Sequence, residues 1–390
     1  MRISERAGSF QESVIREMTR LQIIHGGVNL AQGFPDFDPP VEILDAACRA
    51  LRDGFNQYAV TWGTRRLREA VARHQTSFNR IPTDPDKNVT VCCGATEAMI
   101  ATLIAVCNPG DEVIVFTPFY ENYGPDAVLS GARPVYVTLH EPAAEGDRWR
   151  FDPAELRAAF GPQTRAIIVN TPHNPTGHVF SRAELEVIAS LCQEFDALAI
   201  TDEIYEHILY DGREHVSIAS LDGMLDRTIT ISGASKTFSV TGWRLGWAVA
   251  PEDLSIGIRR VHDFLTVGAP HPLQEAAVAA LDLPAPYFES LVRNYTERRN
   301  RVAAMVRGAG MRPFVPEGAY YLMADITSFG YPDDVAFTMF LLKEIGVAVV
   351  PGSSFYPAGA SDGKQKIRFA FPKRPETLAE AERRLARLHR

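Results

Sequence analysis

From Asn88 onward the chain alternates short β-branched or apolar runs with helix-length segments, and most runs close in small or polar residues. Residues 89–92, 112–117, 133–139, 166–169, 198–201 and 228–231 read as strands by composition. Helical segments fall between them, and that alternation predicts an α/β fold built on a parallel sheet. Ala166-Ile167-Ile168-Val169 is apolar throughout, as expected for a strand covered on both faces. At 390 residues the chain has length for about two domains. Pro284-Ala285-Pro286 marks a break in composition before a long charged helix, 287–307, and a boundary is placed there.

Composition narrows the partners. Forty Lys and Arg against 48 Asp and Glu give a net charge of −8 with no dense basic run, which argues against nucleic acid. No apolar run approaches the roughly 18 residues of a membrane helix. The first ten residues, MRISERAGSF, are charged and lack the apolar centre of a secretion signal, so the expected location is cytoplasmic. Cys48, Cys92, Cys93, Cys107 and Cys192 make neither a disulfide framework nor a zinc pattern. The ten histidines show no ligand spacing, and no metal is expected.

Chemistry concentrates in residues 228–250, TITISGASKTFSVTGWRLGWAVA. The strand ends in Ser232-Gly233-Ala234-Ser235, and Lys236 follows, with an apolar, aromatic stretch beyond it. Most lysines are solvated surface charges. One packed between tiny and apolar residues is a candidate amine nucleophile for Schiff-base chemistry, with Arg244 as a fixed cation suited to phosphate.

Ser235 to Gly246, Ser-Lys-x-x-x-x-x-Gly-x-Arg-x-Gly, resembles the lysine signature of class I aminotransferases, enzymes of pyridoxal-phosphate fold type I. The resemblance covers nearly the whole chain. It extends to NLAQGFPDF at 29–37, reminiscent of the kynurenine, glutamine and methionine branch, and to Asn170-Thr171-Pro172-His173-Asn174-Pro175-Thr176-Gly177, similar to the family's NxPxNPTG. It implies a large domain, 46–284, with a mostly parallel seven-stranded sheet between helices, and a smaller α/β domain from 1–45 and 285–390. It also implies bound pyridoxal 5′-phosphate, a homodimer with shared active sites, and amino acid and 2-oxo acid substrates.

The residue roles follow from that resemblance, each beside an ordinary structural alternative. Lys236 carries the cofactor covalently, next to Ser235. Arg244, the Ala95 main chain and Thr96 bind its phosphate, although Gly and Thr also cap many helices. Tyr120 stacks on the pyridine or is a core aromatic. Asn174 and Tyr205 donate to the phenolic oxygen, and Asn174 touches the substrate carboxylate; a structural turn asparagine is the alternative. Asp202, at the end of an apolar strand, partners the protonated ring nitrogen or caps a helix. Gly33 and Arg368 meet the substrate carboxylate; an exposed strand arginine would be the plain reading of Arg368. Tyr58 reaches the partner subunit's phosphate site or is a half-buried tyrosine.

The reaction implied is ping-pong transamination of an aromatic, sulfur-containing or amide amino acid. A same-fold β-lyase, synthase, cyclase or oxidase would use nearly the same residues. A cofactor-sensing DNA-binding regulator fits poorly, because the stretch before Asn29 is short and the chain acidic. Two departures stand out. Many relatives have serine where this chain has Gly233, which Ser232 or Ser235 could replace, and aspartate-using bacterial relatives carry lysine where Thr96 stands.

Overall fold

A computed structural model describes Ser4, Gly8 and residues 12–144 and 146–389. The expected signal-free N-terminal stretch, 1–10, therefore lies outside the described residues apart from Ser4 and Gly8. Seven strands form the larger sheet: β1 (Val89–Cys92), β2 (Glu112–Thr117), β3 (Arg133–Thr138), β4 (Thr164–Asn170), β5 (Leu198–Asp202), β6 (Thr228–Gly233) and β7 (Gly246–Val249). Their spatial order is β1-β7-β6-β5-β4-β2-β3. Neighbours from β6 to β3 run parallel, while β7 is antiparallel to both β6 and β1. Every residue of β1, β2, β5, β6 and β7 is buried, as expected for strands covered on both faces.

The connecting helices follow their capping chemistry. Asp152 caps Pro153–Ala159 by accepting the Ala154 amide, with Pro153 at the first position. Ser181 and Glu184 form a reciprocal capping box at the start of Arg182–Glu194.

The C-terminal third builds a second, antiparallel sheet from β8 (Arg312–Phe314), β9 (Tyr321–Asp325), β10 (Val350–Pro351) and β11 (Lys366–Ala370), in the order β10-β11-β9-β8. Val28–Asn29 pairs in parallel with Val347–Ala348, tying the N-terminal region to this part. Residues 347–350 are therefore two short pieces with different partners. β9 starts only at Tyr321, because Ala319 takes a left-handed φ of 56°. One apolar core joins Ile204, Tyr205 and Ile208 after β5 to Tyr320, Leu322 and Phe369 of the second sheet. Fully burying one such large side chain contributes about 1.5–3 kcal/mol. That seam lies beside the carboxyl ends of the large sheet's parallel strands, where open α/β sheets bind ligands.

Candidate active site

A cavity of about 440 Å³ opens at this seam, and Gly33, Ala95, Thr96, Tyr120, Asn174, Asp202, Tyr205, Ser235, Lys236, Arg244 and Arg368 all line it. The loops after β1, β2, β4, β5 and β6 each deliver one or more of these groups. Arg244 arrives from the opposite direction: β7 runs antiparallel, so its leading end lies at the same edge.

One end is built for an anion. Helix Ala95–Val106 begins at Gly94, whose φ of 86° favours glycine. A Cβ on Gly94 would stand 2.5 Å from Nη2 of Arg244, and one on Gly246 would stand 2.5 Å from the Ala95 amide nitrogen. Both glycines thus let the helix start press against the arginine. The first amides of a helix have no carbonyl behind them to bond, so those of Ala95 and Thr96 offer donors beside the guanidinium. Arg244 holds a left-handed φ of 53° and donates from Nη1 to the Thr241 carbonyl at 3.1 Å.

The middle carries Asp202 and Lys236. Burial pushes the Asp202 carboxyl above its usual range, opposed by a 2.7 Å hydrogen bond from the Tyr123 hydroxyl to Oδ2. Its Oδ1 accepts the Ile204 amide at 3.3 Å, so the capping alternative describes one oxygen only. Burial holds Lys236 below the ordinary lysine value, against the pull of Tyr321 and Asp202. Its Nζ donates to the Gly33 carbonyl at 3.3 Å. That carbonyl also accepts the Tyr320 hydroxyl at 2.8 Å. Tyr205 exchanges a 3.0 Å hydrogen bond with Tyr321, and Tyr120 lies edge-on to Tyr123 with ring centres 5.7 Å apart.

At the other end Arg368 is fully buried, contrary to the exposed-strand reading. It donates to the Asn174 side-chain oxygen at 2.8 Å and the Ala31 carbonyl at 2.9 Å, while its Nε has no partner among the described residues. Its guanidinium lies 4.2 Å over the Tyr321 ring. Asn170 accepts the Asn174 amide at 2.7 Å and so orients the turn.

Two expectations are corrected. Ser232 does not stand in for a serine at 233: its hydroxyl donates to Glu206 at 2.7 Å and does not line the cavity, whereas Ser235 does. Tyr58 is not half-buried; it is 87% exposed and absent from this chain's cavity. Tyr123, Asn170, Tyr320 and Tyr321 escaped the sequence reading. The adjacent tyrosines after Gly318, and a tyrosine three residues past Tyr120, were the available signals.

A family model described as aminotransferase class I and II matches residues 25–385. The chain belongs to this family. A probable N-succinyldiaminopimelate aminotransferase of Mycobacterium tuberculosis (strain CDC 1551 / Oshkosh) is 39% identical to this aminotransferase over 384 residues, covering 97% of this chain and 96% of the relative. Kynurenine–oxoglutarate transaminase 3 of Mus musculus is 37% identical, covering 97% and 88%. Among solved structures, the N-succinyldiaminopimelate aminotransferase of Mycobacterium tuberculosis superposes with a TM-score of 0.95, 39% identity, and coverage of 99% and 100%.

As a class I aminotransferase the enzyme depends on pyridoxal 5′-phosphate and transfers amino groups between amino acids and 2-oxo acids. The residues present fit that cofactor. The Gly94 cradle against Arg244 offers donors for a phosphate, the buried Asp202 carboxylate suits a ring cation, and the desolvated Lys236 amine suits a carbonyl carbon. No described helix is long and apolar enough to cross a membrane.

Proposed function

We propose that the cavity residues divide the work of transamination as follows. When bound, the cofactor supplies a carrier for the amino group and a sink for electrons. Arg244 with the Ala95 and Thr96 amides holds its phosphate, Asp202 keeps its ring nitrogen protonated, and Tyr205 and Asn174 donate to its phenolic oxygen. Tyr120 covers the ring. Arg368 grips the substrate α-carboxylate, and Nζ of Lys236 takes the proton from the substrate α-carbon. The observation that carries this reading is the lysine: a half-buried primary amine with lowered basicity, facing the same cavity as a buried carboxylate.

The donor is an L-amino acid with an aromatic, sulfur-containing or amide side chain, and the acceptor a 2-oxo acid. Ile15, Phe34 and Tyr120 give the cavity wall an apolar part, and Arg16 and Glu121 give it polar groups. The names of the relatives include kynurenine and N-succinyldiaminopimelate, both larger than aspartate. Two such chains pair. Tyr58 and Phe264 are 87% and 92% exposed, and Tyr58 is free to reach the partner's phosphate site. The division into 46–284 and 1–45 with 285–390 is supported by the two separate sheets and the pairing of 28–29 with 347–348. The expected location is the cytoplasm.

Screening amino donors against pyruvate and 2-oxoglutarate tests the reaction. A 2-oxo product formed only when an acceptor is present supports transamination. Product released without any acceptor would instead identify a lyase.

A further inference from the structure

Arg16 and Glu121 line the cavity without a role in the assignment above, as does the buried carboxyl of Asp126. Arg16 lies in the first turn of helix Val14–His25, and Glu121 follows Tyr120 in the loop after β2. Their placement is fixed by Ser13. The Ser13 hydroxyl caps the helix by accepting the Arg16 amide at 3.4 Å, and it donates to the Glu121 carboxylate. The capping residue thereby pins the helix start over the cavity mouth.

Although they share one cavity, Arg16 and Glu121 form no ion pair with each other, and Arg16 makes none with any described residue. Opposite charges that face one space without meeting leave a gap that a ligand with both a donor and an acceptor can fill. We propose that Arg16 and Glu121 form a gate that reads an amide group at the far end of the substrate side chain. The guanidinium takes the carbonyl oxygen, and the carboxylate takes the N–H. This rests on the transaminase reading of the site and deepens it.

The alternatives each leave a charge unmet. A distal carboxylate suits Arg16 but faces Glu121 with like charge. A distal ammonium suits Glu121 but faces Arg16. A purely apolar side chain would draw water away from both charges and pair neither. An amide satisfies the two together, and hydrogen bonds to charged groups are the stronger kind. The same chemistry occurs in a primary ω-carboxamide and in an N-acylated ω-amine.

The test uses the holoenzyme with glutamine, Nδ-acetylornithine, methionine and glutamate as donors, beside Arg16→Met and Glu121→Gln. In the parent enzyme an amide donor is expected to exceed glutamate in kcat/KM. Arg16→Met should lower the amide-to-methionine ratio about tenfold or more, chiefly through KM, and the amide that loses more identifies the source. Glu121→Gln should lower the amide-to-glutamate ratio by a similar factor. Calorimetry with the unreactive pair glutaramate and glutarate reads the gate apart from turnover. Glutaramate should bind more tightly to the parent enzyme, and Glu121→Gln should reverse or erase the difference. Ratios within twofold of the parent in both variants, or tighter glutarate binding to the parent, would overturn the gate. Absence of transamination with every donor would instead count against the reaction, while the calorimetric comparison would still decide the gate.

Discussion

Nη1 of Arg368 donates to the side-chain oxygen of Asn174 across 2.8 Å, joining β11 of the small sheet to the turn after β4 of the large one. A second guanidinium nitrogen is spent on the Ala31 carbonyl, and Nε has no partner among the described residues. The arginine is thus held in one orientation before substrate arrives, which reduces the ordering cost of binding.

Arg368→Lys keeps the charge but loses the planar fork. Losing one hydrogen bond to a charged group costs about 1.5–3 kcal/mol. We expect kcat/KM to fall roughly ten- to hundred-fold, mostly in KM. Steady-state kinetics with a range of donors checks this, and every donor should be affected alike.

Tyr123 donates to Asp202 and stabilises its ionised form against the effect of burial. Removing the hydroxyl in Tyr123→Phe should raise the pH at which Asp202 loses its proton. The acid limb of the kcat/KM profile should move to higher pH, and activity should recover at alkaline pH. A profile that merely scales down would show that Tyr123 does not act through Asp202.

Gly94→Ala places a methyl against Arg244 and puts alanine at a positive φ. Backbone strain of this kind costs about 1–3 kcal/mol. The cofactor's dissociation constant, followed by absorbance titration, should weaken by about tenfold or more.

His178 lies fully buried between Glu184 at 3.2 Å and Glu317 at 3.4 Å, linking the helix after β4 to the segment leading into β9. Burial alone would raise both carboxyls, but His178 and further hydrogen bonds outweigh it and bring each to about 2. Their contribution is therefore full above pH 4.5 and is lost as pH falls toward 2. His178 itself is raised, burial being outweighed by the two carboxylates, so its contribution is full below 6.5 and lost as pH rises through its folded value. His178→Gln should cost about 1–3 kcal/mol in urea unfolding near pH 5–6, with the difference shrinking toward pH 3 and at alkaline pH.

Much of this site is legible in the sequence because its groups follow strand ends that composition marks. Asn174, Asp202 and Lys236 sit one to five residues beyond runs such as Ala166–Val169. Motif spacing then distinguishes them from ordinary caps and turns. Tyr321 was not legible: it belongs to the second sheet, and its approach to Tyr205 depends on how the two sheets pack. β7 was hidden because Gly246-Trp247-Ala248-Val249 is short and opens on a glycine, a poor strand former. The cover over the mouth was likewise invisible, since Ser13 and Glu121 stand 108 residues apart.

The central claim is that Lys236 is the covalent anchor of the cofactor. Borohydride reduction of the holoenzyme, followed by proteolysis and mass mapping, reads that bond directly. The account predicts one modified peptide with the mass increment on Lys236. A label on any other lysine, or no label on an enzyme that carries its cofactor, would contradict it.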